Sequence, residues 1–136
     1  MPEFPHLLHT AIDTTDGRGL AEFYREFLGL RYRPGDEPPS DGSEDDDSWL
    51  VLVDADGNRK VAVQRVDLLP RSTWPSHEVP MQLHLDFSVS SRDELERQKE
   101  RAIALGATLL LDRTEDREAL YVLADPAGHP FCILTR

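Results

Sequence analysis

Two histidine–aspartate pairs carry the acid–base chemistry that this sequence offers. His84 and Asp86 lie two residues apart within residues 82–89, and His9 and Asp13 lie four apart near the start of the chain. An imidazole titrates near neutral pH, so it can accept or donate a proton in the cell. A carboxylate beside it can orient the ring. His84 with Asp86 is therefore a candidate general base with a partner, and His9 with Asp13 is a similar polar pair near the start of the chain.

The residues around both pairs predict the elements that position them. Within residues 82–89 polar side chains alternate with apolar ones, which are Leu83, Leu85, Phe87 and Val89. Residues 7–13 show a similar alternation, with Leu8 and Ile12 opposite His9 and Asp13. A period of two is typical of a strand that packs one face on a core. We expect the apolar faces to lie under helices and the polar faces to line a ligand site.

Length, charge and cysteine content narrow the class of protein. The 136 residues fit one domain, with 39% hydrophobic and 30% charged residues. The net charge of −11 argues against nucleic acid and against anionic membrane surfaces, and it favours a cationic or neutral small molecule. One cysteine, Cys132, permits no internal disulfide and fits a reducing compartment. The first residues show no basic segment followed by an apolar run, so a cytoplasmic protein is expected.

An internal repeat organises the whole chain. His84 follows His9 by 75 residues, and Leu95 follows Leu20 by the same offset. Each half reads as strand, helix, strand, strand, strand. A capping box of Ser91 with Glu94 predicts the start of the second helix. Apolar residues at helical spacing predict one buried face of the first helix, at Leu20, Phe23, Tyr24, Phe27 and Leu28. The expected fold is α+β, with two βαβββ modules forming a curved mixed sheet around a cavity. Module 1 covers residues 6–66, a connector covers 67–81 and module 2 covers 82–136 of a single domain.

Residues 36–47 interrupt the first module. They include seven acidic residues and two prolines but no basic residue. Such a composition has little apolar area to bury, and like charges repel one another. The segment is therefore predicted to be a mobile loop that folding does not need.

The repeat and several motifs resemble the vicinal oxygen chelate superfamily, which includes glyoxalases, bleomycin and fosfomycin resistance proteins and extradiol dioxygenases. The matching segments are residues 21–30 (AEFYREFLGL), 82–86 (QLHLD), 105–107 (LGA) and 125–131 (DPAGHPF). The resemblance as a whole covers essentially the entire chain except the acidic segment and the connector. A glyoxalase-like member is the expectation, although this fold carries many activities.

The resemblance implies a position for a divalent metal. Metal-dependent members take ligands from the first, fifth and eighth strands, which would be His9, His84 and Cys132 here. The third ligand is normally a carboxylate, and Mg²⁺ or Mn²⁺ prefers such oxygen donors. A His₂Cys set suits Zn²⁺, but nothing in the sequence selects it. No metal and no cofactor are expected.

Three functions follow from the resemblance and the site residues. The first is metal-independent binding of a small organic molecule, with a cation favoured by the net charge. The second is a metal-dependent lyase, dioxygenase or transferase that uses His9 and His84. The third is a metal-free lyase or isomerase with His84 as general base and Asp86 orienting it. The residues expected to bind the ligand are His9, Asp13, Trp49, Tyr121 and Cys132.

A homodimer is also expected. Single-chain members of the resembling superfamily often pair so that modules join across an interface, and a curved sheet leaves its edge strands exposed. Neither a nucleic acid nor a membrane is expected as a partner.

Overall fold

A computed structural model describes residues 3–135 of the chain. It contains two compact units, Met1–Leu68 and Leu69–Arg136, so the boundary falls within the connector that the sequence suggests. Each unit contains four strands and one helix in the order strand, helix, strand, strand, strand. The α+β class and the two βαβββ modules are confirmed. Within residues 3–135, no helix combines the length and the apolar character that crossing a bilayer requires.

The first unit consists of β1 (Thr10–Thr14), α1 (Gly17–Leu28), β2 (Arg31–Tyr32), β3 (Trp49–Val53) and β4 (Arg59–Arg65). Its sheet has the strand order β1-β4-β3-β2, with β1 parallel to β4 and the other pairs antiparallel. The predicted apolar face of α1 is buried, at Leu20, Phe23, Tyr24 and Phe27. Asp16 caps the helix by accepting a hydrogen bond from the Gly19 N–H, and Gly29 ends it with a φ of 66°.

The second unit repeats this arrangement. It consists of β5 (Leu85–Val89), α2 (Arg92–Ala104), β6 (Thr108–Arg113), β7 (Leu120–Ala124) and β8 (Pro130–Thr135), in the strand order β5-β8-β7-β6. Ser91 caps α2 by accepting from the Glu94 N–H at 3.1 Å. The Glu94 carboxylate, however, accepts from Arg97 and Gln98. Only the serine half of the predicted capping box is thus seen among the described contacts.

The strands that carry the histidines are shorter than predicted. Strand β1 begins at Thr10 and β5 at Leu85, so His9 and His84 each lie one residue before a strand. Strand β4 pairs with β1 only from Thr10 onward, and β8 pairs with β5 only from Leu85 onward. Because no neighbouring strand pairs with His9 or His84, the strands do not extend to include them. Leu8 was expected beneath a helix, but it is 59% exposed, so that prediction is wrong.

The acidic segment is not the detached loop that its composition predicts. The Arg18 guanidinium donates to both Asp45 carboxylate oxygens at 2.7 and 2.8 Å and to the Asp36 carbonyl at 2.8 Å. The Arg18 backbone N–H donates to the Asp47 carboxylate at 3.0 Å, and Arg65 also pairs with Asp47. Cations elsewhere in the first unit therefore hold both ends of the segment, which its own composition could not reveal.

Candidate functional site

Strand register determines which side chains share a face of each sheet. Paired residues on neighbouring strands point to the same side. In the second unit Asp86 pairs with Cys132, which pairs with Val122. The adjacent row contains Phe87, Ile133 and Tyr121 and lies on the side of α2. Asp86 and Cys132 thus lie on the helix-free face.

The helix-free face of the second sheet brings together three of the predicted site residues. The His84 Nε2 atom lies 3.2 Å from Asp86 Oδ1. One donor atom from each of His84, Asp86 and Cys132 lies within 4.8 Å of the other two. The side chains of His84 and Asp86 are 37% and 56% exposed, so a small molecule can reach them. We call these three residues the His84 cluster.

Cys132 is the half-buried member of the His84 cluster. Burial, together with the charge and hydrogen bonding of Asp86, raises the pKa of its thiol to about 11, while Arg113 opposes the rise. The thiol is therefore protonated at neutral pH, which makes it a poor nucleophile. A protonated thiol beside a carboxylate can instead donate a hydrogen bond to it.

His9 and Trp49 meet in the first unit. Their ring centroids are 5.7 Å apart with the planes tilted by 56°, and Trp49 is 38% exposed. Burial lowers the pKa of His9, and the positive charges of Arg59 and Arg33 lower it further. The His9 Nδ1 atom is buried, and no atom of residues 3–135 forms a hydrogen bond with it. The imidazole is therefore neutral at pH 7, with one nitrogen unpaired within the described chain.

The other two predicted ligand-binding residues have different surroundings. Asp13 is exposed and pairs in register with Gln64. Tyr121 is buried on the α2 side of its sheet, where its hydroxyl donates to Glu96 at 2.6 Å and the Lys99 ammonium lies 5.0 Å from its ring centroid. The position of Tyr121 does not support its predicted ligand-binding role, which remains a prediction.

Sequence reasoning missed Arg59 as a neighbour of His9. A β-bulge in β4 causes this proximity, because Leu52 pairs with Val61 but Val53 pairs with Arg59, leaving Lys60 as an extra residue. Strict alternation from Val61 would place Arg59 on the side of α1. The bulge places Arg59 on the helix-free side instead. No residue type in this stretch indicates that the strand register changes there.

Paired βαβββ modules with this strand order define the vicinal oxygen chelate fold. Residues 9–134 match the family described as a glyoxalase-like domain. The chain therefore belongs to the glyoxalase-like domain family, as the sequence motifs suggested. No curated protein sequence matches it significantly.

Solved structures agree with this assignment. The chain is similar to a glyoxalase/bleomycin resistance protein/dioxygenase family enzyme from Burkholderia phytofirmans PsJN, with 19% identity, 94% of this chain and 96% of that chain covered, and a TM-score of 0.65. It is also similar to the genomically encoded fosfomycin resistance protein FosX from Listeria monocytogenes, with 16% identity, coverage of 98% and 95%, and a TM-score of 0.68. At these identities the similarity establishes the fold alone.

Proposed function

We propose that this protein binds a small organic molecule and transfers a proton with His84, without a metal ion. The observation that carries the proposal is the 3.2 Å contact between His84 Nε2 and Asp86 Oδ1. A hydrogen on Nε2 that points at the carboxylate leaves the Nδ1 lone pair available as a base. The carboxylate also stabilises the imidazolium that forms once Nδ1 has taken a proton.

Proton abstraction next to a carbonyl group is the reaction class that suits this pair. His84 Nδ1 would take the proton from carbon, and the C–H electron pair would move into the carbonyl to give an enolate. If the carbon that loses its proton carries a hydroxyl group, the product is an enediolate. Return of the proton to the former carbonyl carbon, with transfer of the hydroxyl proton to the carbonyl oxygen, then completes an isomerisation. Loss of a β-leaving group with the same electron pair instead completes an elimination. Binding without turnover is the remaining outcome, and it corresponds to sequestration of the ligand.

Hydrogen exchange in D₂O tests this step without knowledge of the substrate. Carbonyl compounds such as pyruvate and hydroxyacetone are incubated with the protein, and loss of the signal of the adjacent C–H is followed by proton NMR. His84→Gln should slow the exchange at least about a hundredfold, because general-base catalysis contributes that much or more. His77→Gln is the matched control, since His77 is an exposed residue of the connector.

Two results would count against the proposal. Exchange that His84→Gln leaves unchanged would remove His84 from the reaction. Exchange that a chelator abolishes would instead favour a metal-dependent reaction. Asp86→Asn should also slow exchange, because the amide cannot stabilise the imidazolium as the carboxylate does.

A divalent metal at the same cluster is the second candidate. The sequence motifs implied His9, His84 and Cys132 as ligands, but the structure brings together His84, Asp86 and Cys132 within 4.8 Å. Nitrogen, carboxylate and sulfur donors fit Zn²⁺, provided that the thiol loses its proton. When bound, such an ion would polarise a substrate oxygen. Titration of the protein with Zn²⁺ by calorimetry tests this, and binding that survives Cys132→Ser would remove the sulfur from the ligand set.

A homodimer is the assembly that we propose. The outer strands of the two sheets are β1, β2, β5 and β6, and unpaired strand edges invite association. Leu7 and Leu83 are 90% and 71% exposed, so apolar surface is also available next to β1 and β5. Sedimentation at high micromolar concentration tests the proposal, and a monomeric mass would refute it.

A further inference from the structure

The first sheet carries a second group of side chains suited to a ligand, which we call the His9 cluster. It consists of His9, Trp49, Arg33 and Arg59. The rings of His9 and Trp49 lie 5.7 Å apart. Arg33 donates its backbone N–H to the Val51 carbonyl, so Arg33 is paired with Val51. Both side chains therefore lie on the same, helix-free side of the sheet. The bulge at Lys60 places Arg59 on the same side.

Arg59 is the cation of this cluster for which residues 3–135 supply no carboxylate or carbonyl partner. Within residues 3–68, the other lysine and arginine side chains pair with carboxylates, except for Arg31, which donates to the Ala55 carbonyl at 2.6 Å. Arg33, for example, lies 3.2 Å from the Asp36 carboxylate. The described residues provide neither type of partner for the half-buried Arg59, although the chain has 26 acidic and only 15 basic residues.

His9 is also uncommitted. Its Nδ1 atom is buried without a hydrogen bond to residues 3–135, and an unpaired buried polar atom destabilises the fold. A ligand that offers this atom a hydrogen-bond partner would remove that cost. Trp49 adds a flat apolar surface that is 38% exposed.

We propose that the His9 cluster binds the anionic end of a small planar molecule, of which an aromatic carboxylate is the simplest kind. This inference goes beyond the proposed function, which concerns the His84 cluster of the second unit. A guanidinium binds a carboxylate through two parallel N–H···O bonds, which Arg59 can supply. The ring of the ligand would then pack against Trp49 and His9, since aromatic rings attract one another edge to face or with an offset.

Local charge overrides the net charge of −11 at this position. Exposed charges separated by more than about 8 Å are screened at physiological ionic strength, so distant carboxylates contribute little. The groups that act on His9 are Arg59 and Arg33. The cationic ligand that the net charge favoured is therefore disfavoured here.

Tryptophan fluorescence tests the inference in the folded, full-length protein. The chain has two tryptophans, so in a Trp74→Phe background the emission reports Trp49 alone. Benzoate and benzylamine serve as matched probes, because they share a ring and differ in the sign of the charge. The titration is run at about 0.15 M salt to screen long-range repulsion. Benzoate should change the emission saturably, whereas benzylamine should not.

Charge-matched variants assign the effect to Arg59. Arg59→Gln should weaken benzoate binding at least tenfold, about 1.4 kcal/mol. Arg97→Gln removes the same charge from an exposed arginine that pairs with Glu94 on α2 and should leave the affinity within roughly twofold. Arg59→Lys keeps the charge but lacks the planar fork, so its affinity should fall between those of wild type and Arg59→Gln. Circular dichroism confirms that each variant is folded.

Three results would overturn the inference: no saturable change with benzoate, equal binding of benzylamine, or equal losses in Arg59→Gln and Arg97→Gln. These outcomes are separate from a failure of the proposed function. Benzoate binding that depends on Arg59, together with hydrogen exchange that does not depend on His84, would refute the proton transfer alone. Hydrogen exchange that depends on His84, together with benzoate binding that does not depend on Arg59, would refute only the anion site at the His9 cluster.

Discussion

Alkylation of Cys132 should be much slower in the folded protein than in the unfolded chain. The ordinary pKa of a thiol is 9.0, and in the folded protein burial and Asp86 raise it to about 11. The thiolate is the reacting species, and two pKa units lower its fraction at neutral pH about a hundredfold. Cys132 is only half-buried, so solvent screening makes this figure an upper limit.

Iodoacetamide and intact-mass measurement provide the assay. Cys132 is the only cysteine of the chain, so each modified molecule gains one adduct and the rate needs no mapping. The same protein in urea supplies the unfolded reference. A chelator is included in both samples so that the thiol carries no metal ion.

Asp86→Asn separates the effect of charge from that of burial. The amide carries no charge, so the pKa of the thiol should fall and alkylation of the folded variant should become several times faster than in wild type. Asp93→Asn removes the same charge from the first turn of α2 and should leave the rate unchanged. Equal rates for folded and unfolded wild type would refute the burial of the thiol, and equal rates for Asp86→Asn and wild type would refute the role of its neighbour.

Three further predictions follow from other contacts. A Cβ at Gly17 would lie 2.1 Å from the Asp47 carbonyl oxygen, so Gly17→Ala should destabilise the fold by about 1–3 kcal/mol and lower Tm by roughly 4 °C per kcal/mol in a thermal melt. The lowered pKa of His9 means that its contribution to stability is present above pH 6.5 and is lost as the pH falls through the folded pKa; Arg59→Gln should raise that pKa in an NMR titration. Cys132→Glu should increase the affinity for Mn²⁺ or Ni²⁺ at least tenfold, about 1.4 kcal/mol, because a carboxylate is the third ligand that the resemblance implies beside His9 and His84. A folded variant whose calorimetric affinity is unchanged would show that these three positions do not bind one ion.

The sequence predicted the elements well because their signals are local. The spacing of apolar residues in α1 and the duplicated order of strands are properties of neighbouring residues, and both are confirmed. The His84 cluster was partly predictable for the same reason, because His84 and Asp86 are two residues apart. The placement of Asp86 next to Cys132 required the pairing of β5 with β8, which is not local.

The sequence was least informative where distant residues decide the outcome. The acidic segment was expected to be mobile. Arg18, however, donates to the Asp36 carbonyl at its start, and Arg18 and Arg65 pair with Asp45 and Asp47 at its end. Neither arginine lies within the segment. The face on which Tyr121 lies could not be deduced, because residues 120–124 form a continuous apolar run without alternation.

The bulge at Lys60 means that the sequence spacing in β4 does not by itself determine which basic residue faces His9. Deleting Lys60 would leave Arg59 directly before Val61, so regular alternation would keep it opposite Val53 on the helix-free side. Regular pairing of a strand of unchanged length would instead place Lys60 opposite Val53 and turn Arg59 toward α1. Relatives with the same residues could therefore present an ammonium or a guanidinium beside the histidine, and a comparison of residue types alone would miss the difference.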